Sequence, residues 1–163
     1  MSTAINPIPD GYHTLTPYLI VKDAAAALAF YRQAFGAGEV MRLNMPEGGI
    51  AHAEFTIGDS HFMISDEYAN GPVAAPETLG GSTVKLHLYV PDADAAFAQA
   101  LAAGAKETMP LADQFWGDRM GSLVDPFGHH WLIASHVEDV DPGEFQSRME
   151  AFFAANAACG HEL

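Results

Sequence analysis

The two halves of the chain repeat one sequence pattern, and this duplication constrains the fold more than any other feature. The segment YLIVKDAAAALAFYRQAFGA in the first half matches LYVPDADAAFAQALAAGA in the second half. Three matched pairs lie at a constant offset of 69 residues: Val21 with Val90, Asp23 with Asp92, and Leu28 with Phe97. A period of this length exceeds that of solenoid repeats, so the sequence indicates a duplicated module.

The first copy of the module opens with a strand pattern that leads into a helix pattern. Leu19 and Val21 alternate as residues on one face of a strand do, and Asp23 is a suitable N-cap for the helix that follows. Gly36 or Gly38 is a suitable C-terminal stop. The first copy therefore begins with a strand and a helix.

The later part of each copy returns to strand patterns separated by turn residues. IAHAEFTIGDSHFMIS predicts a hairpin that turns at Gly58-Asp59, and DRMGSLVDPFGHHWLIASH predicts one that turns at residues 125–128. In the second copy, Asp92 or Asp94 begins the helix. We therefore predict an α+β fold of two βαβββ modules followed by a C-terminal helix.

The modules are predicted at residues 1–67, which include an N-terminal extension, and at residues 82–138. Residues 68–81 are rich in Gly, Pro and small residues and predict a connecting loop. Residues 139–163 form a tail that begins Asp141-Pro142-Gly143-Glu144, which is typical of a capped helix start. The apolar face of this helix packs either on its own domain or on a second subunit: Phe145, Met149, Phe152 and Phe153.

Charge and cysteine content exclude several classes of protein. Seven Lys and Arg against 21 Asp and Glu give a net charge of −14, which excludes nucleic acid and anionic membrane surfaces as partners. The single cysteine, Cys159, allows neither an intramolecular disulfide nor a cysteine-based zinc site. No secretory signal pattern and no apolar run of membrane-spanning length is present in the sequence. We expect a cytoplasmic protein.

The paired modules and their motifs resemble the vicinal oxygen chelate superfamily, the glyoxalase, bleomycin-resistance and extradiol-dioxygenase group. The motifs are V-x-D before each helix, F-Y-x-x-x-F-G-A at the end of the first helix, and D-P-F-G-H-x-W near the end of the second module. AHAEFTIGDS, LHLYVPDADA and FWGDRMGSLVDPFGHHW are similar to the PhnB-like branch. The resemblance covers residues 12–136.

The resemblance implies that the modules form a cup-shaped mixed sheet around a cleft. The two halves of the cleft come from one chain or from two subunits, and a homodimer is expected. In metal-using relatives a divalent ion is held by a His or Glu from the first and the last strand of each module.

The positions that match those metal ligands carry unsuitable residues here. The first-strand positions correspond to Thr16 and Lys85, and the last-strand positions to Leu132 and to Phe62 or Met63. A lysine and hydrophobic side chains do not bind a divalent cation. We predict that the protein lacks the standard metal site, so that no cofactor is assigned.

Strand alternation indicates which other side chains face the predicted cleft, because residues two apart share a face. They include three histidines, a glutamate, a tyrosine and a lysine: His52, Glu54, Lys85, His87, Tyr89 and His130. His52 and Glu54 form an exposed polar face, a pocket pair or a displaced metal site. His87 lines a pocket or is a buried core residue. His129 caps strand carbonyls, and His13, His61, His136 and His161 are expected to be peripheral.

The stretch Phe115-Trp116-Gly117-Asp118-Arg119 combines aromatic and charged side chains beside a glycine. Trp116 would stack on a ligand while Arg119 binds its anionic group, or the stretch is a structural Asp118–Arg119 ion pair with Trp116 at the cleft edge. Basic residues are scarce in this sequence, so Arg119 suggests a carboxylate or phosphonate ligand.

Two functions follow from these residues. The first is a metal-independent protein that binds a small, anionic molecule through Lys85, Tyr89, Trp116, Arg119 and His130. The alternative is a lyase, isomerase or transferase with His52 or His87 as general base, oriented by Glu54. A divalent metal held by the non-standard ligands His52, Glu54 and His87 is a further possibility.

Overall fold

A computed structural model describes residues 5–157, so Cys159 and His161 lie outside the described residues. The elements, in chain order, are β1 (Tyr18–Val21), α1 (Ala24–Phe35), β2 (Gly38–Asn44), β3 (Ile50–Ile57), β4 (Ser60–Asp66), α2 (Pro76–Leu79), β5 (Lys85–Tyr89), α3 (Ala93–Ala103), β6 (Lys106–Asp113), β7 (Asp118–Val124), β8 (His130–His136) and α4 (Phe145–Ala157).

The strands form two four-stranded sheets with the same topology. The first sheet has the order β1-β4-β3-β2 and the second has the order β5-β8-β7-β6. In each sheet the first strand pairs in parallel with the last strand of its module, and the other pairings are antiparallel. This confirms the predicted α+β fold with two β-α-β-β-β units and a C-terminal helix.

The ends of α1 and α3, the helices of the two modules, follow the predicted pattern. The side chain of Asp23 accepts a hydrogen bond from the Ala26 N–H, and that of Asp92 accepts one from the Ala95 N–H. Of the two candidates in the second module, Asp92 is therefore the N-cap. Both helices end at a glycine in the left-handed region, where a side chain would be strained.

Two details of the helical elements differ from the sequence prediction. The connecting loop contains the short helix α2, which the glycine and proline content concealed. The last helix begins at Phe145, three residues later than its capping pattern predicts. Asp141 forms a tight turn instead, in which its side chain accepts a hydrogen bond from the Gly143 N–H. The Glu144 side chain accepts a hydrogen bond from the Arg148 guanidinium. No helix of the described residues has both the length and the apolar character to cross a membrane.

The two modules share one hydrophobic core, in which α1 packs against α3. Tyr31 of α1 is fully buried, and its ring stacks on that of Phe55 in the first sheet. The centroid of the Tyr31 ring also lies 5.6 Å from that of Trp131 in the second sheet. The Gln99 side chain of α3 donates to the carbonyls of Gln33 and Ala34 at the end of α1. The modules therefore meet through their helix faces and not through paired strands.

The buried side chain of Asp125 joins the modules by hydrogen bonds. Its Oδ2 accepts from the Tyr31 hydroxyl at 2.8 Å and from the Trp131 Nε1 at 2.9 Å. Its Oδ1 accepts from the backbone N–H groups of Phe127 and His129, which fixes the predicted turn at residues 125–128. Burial and the neighbouring Asp125 raise the pKa of Tyr31 well above its ordinary value.

Replacing Asp125 with alanine leaves two buried donors and two backbone N–H groups without their acceptor. We expect Asp125→Ala to lower the free energy of unfolding by roughly 3 to 5 kcal/mol, as measured by urea denaturation. Asp59→Ala, in the exposed turn between β3 and β4, is the matched control and should change it by less than about 0.5 kcal/mol. Equal effects of the two variants would contradict the role given to Asp125.

Candidate functional site

A cavity of about 1030 Å³ lies between the edge strands of the two sheets, β1 and β5. Its lining includes Leu19 and Phe62 from the first module and Leu86 and Trp131 from the second. Residues from the connecting segment 73–84, which contains α2, complete the lining. The cavity is therefore a largely apolar site formed where the two modules meet.

The basic residues of the cavity lining are one lysine and four histidines: His13, His61, Lys85, His87 and His129. Tyr18 and the hydroxyl residues Ser60, Ser82 and Thr83 are the other polar side chains of the lining. No aspartate or glutamate is among the described residues that line the cavity, although the chain has 21 of them. The lining is thus suited to an anionic group and not to a cationic one.

His129 connects the edge of β1 to the second module. Its Nε2 lies 3.2 Å from the carbonyl oxygen of Ile20, to which it donates. Burial lowers its pKa, against the smaller opposing effect of Asp125. The prediction that His129 satisfies a strand carbonyl is confirmed.

The structure brings only some of the predicted site residues to this cavity. Lys85 and His87 of β5 line it, and His87 also stacks on Tyr89 with ring centroids 4.6 Å apart. The others lie outside the lining: His52, Glu54, Tyr89, Trp116, Arg119 and His130. The six side chains that strand alternation predicts to face one cleft are therefore divided in this chain: Lys85 and His87 line the cavity, and the other four do not.

Arg119 lies on the face of the second sheet that is covered by α3. It shares this face with Gly121, whose added Cβ would meet Phe97 of α3. Its guanidinium donates to both carboxylate oxygens of Asp94 at 2.6 and 2.7 Å and to Asp113 at 3.1 Å. The Arg119 guanidinium is therefore hydrogen-bonded to two carboxylates of the chain itself. This corrects the prediction that Arg119 binds an anionic ligand, and it also corrects the alternative prediction that Arg119 pairs with Asp118.

The strand register identifies equivalent positions in the two modules. In the first sheet, Tyr18 of β1 lies beside Met63 of β4, which lies beside Glu54 of β3. In the second sheet, the residues at the equivalent positions are His87 of β5, Leu132 of β8 and Ser122 of β7. The register makes Met63 the counterpart of Leu132. The standard ligand positions therefore hold Thr16, Met63, Lys85 and Leu132, and this donor set does not fit a divalent metal.

The non-standard donors do not form a metal site either. His52 and Glu54 lie on β3 of the first sheet, while His87 lies on β5 of the second. Within residues 5–157, no three His, Cys, Asp or Glu side chains are grouped as a metal would require. The hypothesis of a displaced metal held by these three residues is wrong for this conformation.

Four polar side chains form a connected chain on the open face of the first sheet. The Tyr18 hydroxyl lies 2.9 Å from His52 Nδ1, and His52 Nε2 lies 3.3 Å from Glu54 Oε1. Tyr12 donates to the other oxygen of Glu54, and its ring packs at a tilt against that of His61, a cavity residue, with ring centroids 4.2 Å apart. Tyr18 also lines the cavity, so this chain lies directly behind one cavity wall.

The hydrogen bond between Tyr12 and Glu54 shifts the pKa of both groups. It raises the pKa of Tyr12 to about 12 and is the largest cause that lowers the pKa of Glu54. His52 lowers the pKa of Glu54 further. Glu54 is therefore a carboxylate at neutral pH, and both of its oxygens accept hydrogen bonds.

A second polar cluster surrounds the buried carboxyl group of Asp118. It accepts from Tyr89 at 2.8 Å, from the Trp116 indole at 3.0 Å and from His136 Nδ1 at 2.9 Å. Burial by itself raises the pKa of Asp118, but these hydrogen bonds outweigh burial and lower it. Asp118 in turn raises the pKa of His136, which also contacts Asp139. Trp116 and Tyr89 are thus held by Asp118, and His136 belongs to this cluster.

Five residues with roles in the cavity or in these contacts were missed by sequence reasoning or taken as peripheral: Tyr12, His13, Tyr18, His61 and His136. Tyr18 lies 69 residues before His87, so the duplication contained a signal for it. His61 was expected to be peripheral, yet it lines the cavity. Tyr12 precedes the first strand, and no pattern in the sequence indicates that it reaches Glu54.

The pKa of Glu54 gives a direct test of this chain of contacts. Tyr12→Phe removes the largest lowering interaction, so we expect the pKa of Glu54 to rise toward its ordinary value in a carboxyl ¹³C NMR titration. Because the native pKa is lowered, the stability that Glu54 contributes is present above its unfolded-state pKa and is lost as the pH falls through its native pKa. That loss should become smaller in the variant.

Tyr68→Phe is the matched control, because the Tyr68 hydroxyl donates to the Ala51 carbonyl and not to Glu54. It should leave the Glu54 titration unchanged. An unaltered Glu54 pKa in Tyr12→Phe would show that the contact is not formed in solution.

Comparisons with known proteins agree with this architecture. The sequence profile of the glyoxalase/bleomycin resistance protein/dioxygenase superfamily matches residues 12–133. The uncharacterized protein Mb0911c of Mycobacterium bovis is 42% identical over 151 residues, which are 91% of this chain and 97% of the relative.

Solved structures share the fold. The X-ray structure of the Arabidopsis thaliana gene product At5g48480 aligns with a TM-score of 0.63 and 28% identity, over 76% of this chain and 98% of that protein. The PhnB protein of Bacillus cereus aligns with a TM-score of 0.61 and 24% identity, over 76% of this chain and 99% of that protein.

Proposed function

Since the chain belongs to the glyoxalase/bleomycin resistance protein/dioxygenase superfamily, we propose that it binds a small, largely apolar molecule with an anionic group, without the standard divalent metal. The binding site is the cavity between β1 and β5. The observation that carries the proposal is a lining that combines apolar walls with Lys85 and histidines and lacks carboxylates among its described residues.

The size and composition of the cavity support a ligand of this kind. Its volume of about 1030 Å³ is at the upper end of the range for sites that take drug-sized molecules. Leu15, Leu79 and Val84 expose most of their apolar surface in this lining, which favours a ligand with an apolar body such as a ring. The burial of such a ring provides most of the binding free energy, and the polar groups orient it.

Lys85 supports the anionic part of the proposal. Its ammonium lies at a position where metal-using relatives are expected to place a metal ligand, so a fixed positive charge stands in the region of the metal ion. The net charge of −14 repels anions from most of the surface, which makes a carboxylate-free lining with a lysine a distinct local environment.

The contacts within the chain argue against His52 and Glu54 as the acid-base pair of the enzymatic alternative, whereas His87, its other candidate base, lines the cavity. Both ring nitrogens of His52 and both oxygens of Glu54 already have partners in the first sheet. A general base must be within reach of the proton that it removes, and neither residue lines the cavity. Catalysis by His52 and Glu54 would require these contacts to break.

We further propose that the protein acts as a homodimer. Strand β2 is an edge strand whose residues are all exposed, and Val40 and Leu43 expose 53% and 54% of their surface. An exposed edge strand with apolar side chains favours association with a second copy of the chain.

The role of Lys85 is tested with an anionic probe and its neutral isostere, 2-naphthoate and 2-naphthamide. We expect Lys85→Met to weaken the binding of 2-naphthoate about five-fold, or roughly 1 kcal/mol, because the variant loses one charge interaction at a partly exposed site. The binding of 2-naphthamide should change by less than about two-fold. Isothermal titration calorimetry measures both.

Lys106→Met is the matched control, since Lys106 begins β6 and lies outside the cavity lining. It should leave the affinity for both probes unchanged. An equal loss in both lysine variants would show a nonspecific charge effect, and the absence of any binding of 2-naphthoate would refute the proposed function.

A further inference from the structure

Tyr18 lines the cavity from the first module, and its hydroxyl is hydrogen-bonded to His52, which lies outside the lining. It occupies the position in β1 that corresponds to His87 in β5, and both residues line the cavity. Behind Tyr18 lie His52, Glu54 and Tyr12, each joined to the next by a hydrogen bond. This chain of contacts determines the direction of every hydrogen bond in it.

The direction follows from the carboxylate of Glu54. A carboxylate only accepts hydrogen bonds, so Tyr12 donates to one oxygen and His52 Nε2–H donates to the other. In the neutral imidazole, a hydrogen on Nε2 leaves Nδ1 as an acceptor. With His52 in this neutral form, the Tyr18 hydroxyl, 2.9 Å from Nδ1, donates its hydrogen to His52.

With its hydrogen committed to His52, the Tyr18 oxygen has only lone pairs left for a ligand. Hydrogen bonds in a chain polarise one another, so this oxygen is a stronger acceptor than that of an isolated phenol. A ligand group that itself only accepts would meet lone pairs there and lose affinity.

We propose that Tyr18 is a specificity-determining hydrogen-bond acceptor of the cavity, and that His52 and Glu54 are positioning residues that hold it in this role. The ligand then carries a hydroxyl or N–H donor in addition to its anionic group. This inference rests on the proposed function, because it concerns the same cavity.

Two polar residues of the lining, one from each module, give this ligand class its chemistry. Tyr18 on β1 accepts a hydrogen bond, while Lys85 on β5 binds the anion. Apolar side chains such as Phe62 and Trp131 lie in the lining with them. A hydroxylated aromatic acid has the required anion, ring and donor.

Three fluorescent probes that differ in one substituent test the inference: 2-naphthoate, 6-hydroxy-2-naphthoate and 6-methoxy-2-naphthoate. The hydroxyl derivative can donate to Tyr18, whereas its methyl ether can only accept. We expect the wild-type protein to bind the hydroxyl derivative about five-fold more tightly than the methyl ether in fluorescence titrations near neutral pH.

Two variants separate the acceptor from the residues that position it. Tyr18→Phe should abolish the preference by weakening the binding of the hydroxyl derivative about five-fold, while the affinity for 2-naphthoate is retained. His52→Phe frees the Tyr18 hydroxyl to donate, so the methyl ether should gain affinity relative to the hydroxyl derivative. A purely structural role of His52 would instead weaken all three probes equally.

Tyr68→Phe serves as the control, because it removes a tyrosine hydroxyl that lies outside the cavity lining. It should keep the wild-type preference. If 2-naphthoate binds but Tyr18→Phe leaves the preference unaltered, or if the wild type shows no preference, the role of Tyr18 is overturned and the proposed function stands. If 2-naphthoate does not bind at all, both are overturned.

Discussion

The arrangement of the two modules depends on the buried carboxyl group of Asp125. Its four hydrogen bonds connect α1 of the first module to the turn and the last strand of the second. A buried polar group without partners is costly, so the hydrogen bonds from Tyr31 and Trp131 stabilise the packed arrangement of the two modules. These bonds act beside the shared core, in which α1 packs against α3.

The cavity lies at the edges of the two sheets. Because β1 and β5 belong to different sheets, the region between them contains side chains in place of strand pairing. His129 satisfies one carbonyl of the β1 edge, and the segment with α2 contributes part of the lining. Tyr18 and His87, two other polar residues of the lining, occupy equivalent positions in the duplicated pattern, one in each module. One module thus supplies an acceptor and the other a lysine.

The duplication made the fold predictable to the level of single caps and turns, because Asp23, Asp92 and the turn at residues 125–128 act through local hydrogen bonds. Strand alternation also placed His52 and Glu54 on one face correctly. It did not reveal which faces share a cavity, since that depends on how the modules pack. Arg119 shows the limit most clearly: its partners Asp94 and Asp113 come from α3 and β6, and no local pattern indicates those contacts. Tyr12 was missed for the same reason.

The most direct test of the account is a crystal structure of the protein with 6-bromo-2-naphthoate, in which anomalous scattering locates the bromine. The account predicts that the ring lies between β1 and β5 against Phe62 and Trp131, with its carboxylate toward Lys85. A bromine position on the open face of either sheet, away from the cavity lining, would contradict the central claim that the site lies where the two modules meet.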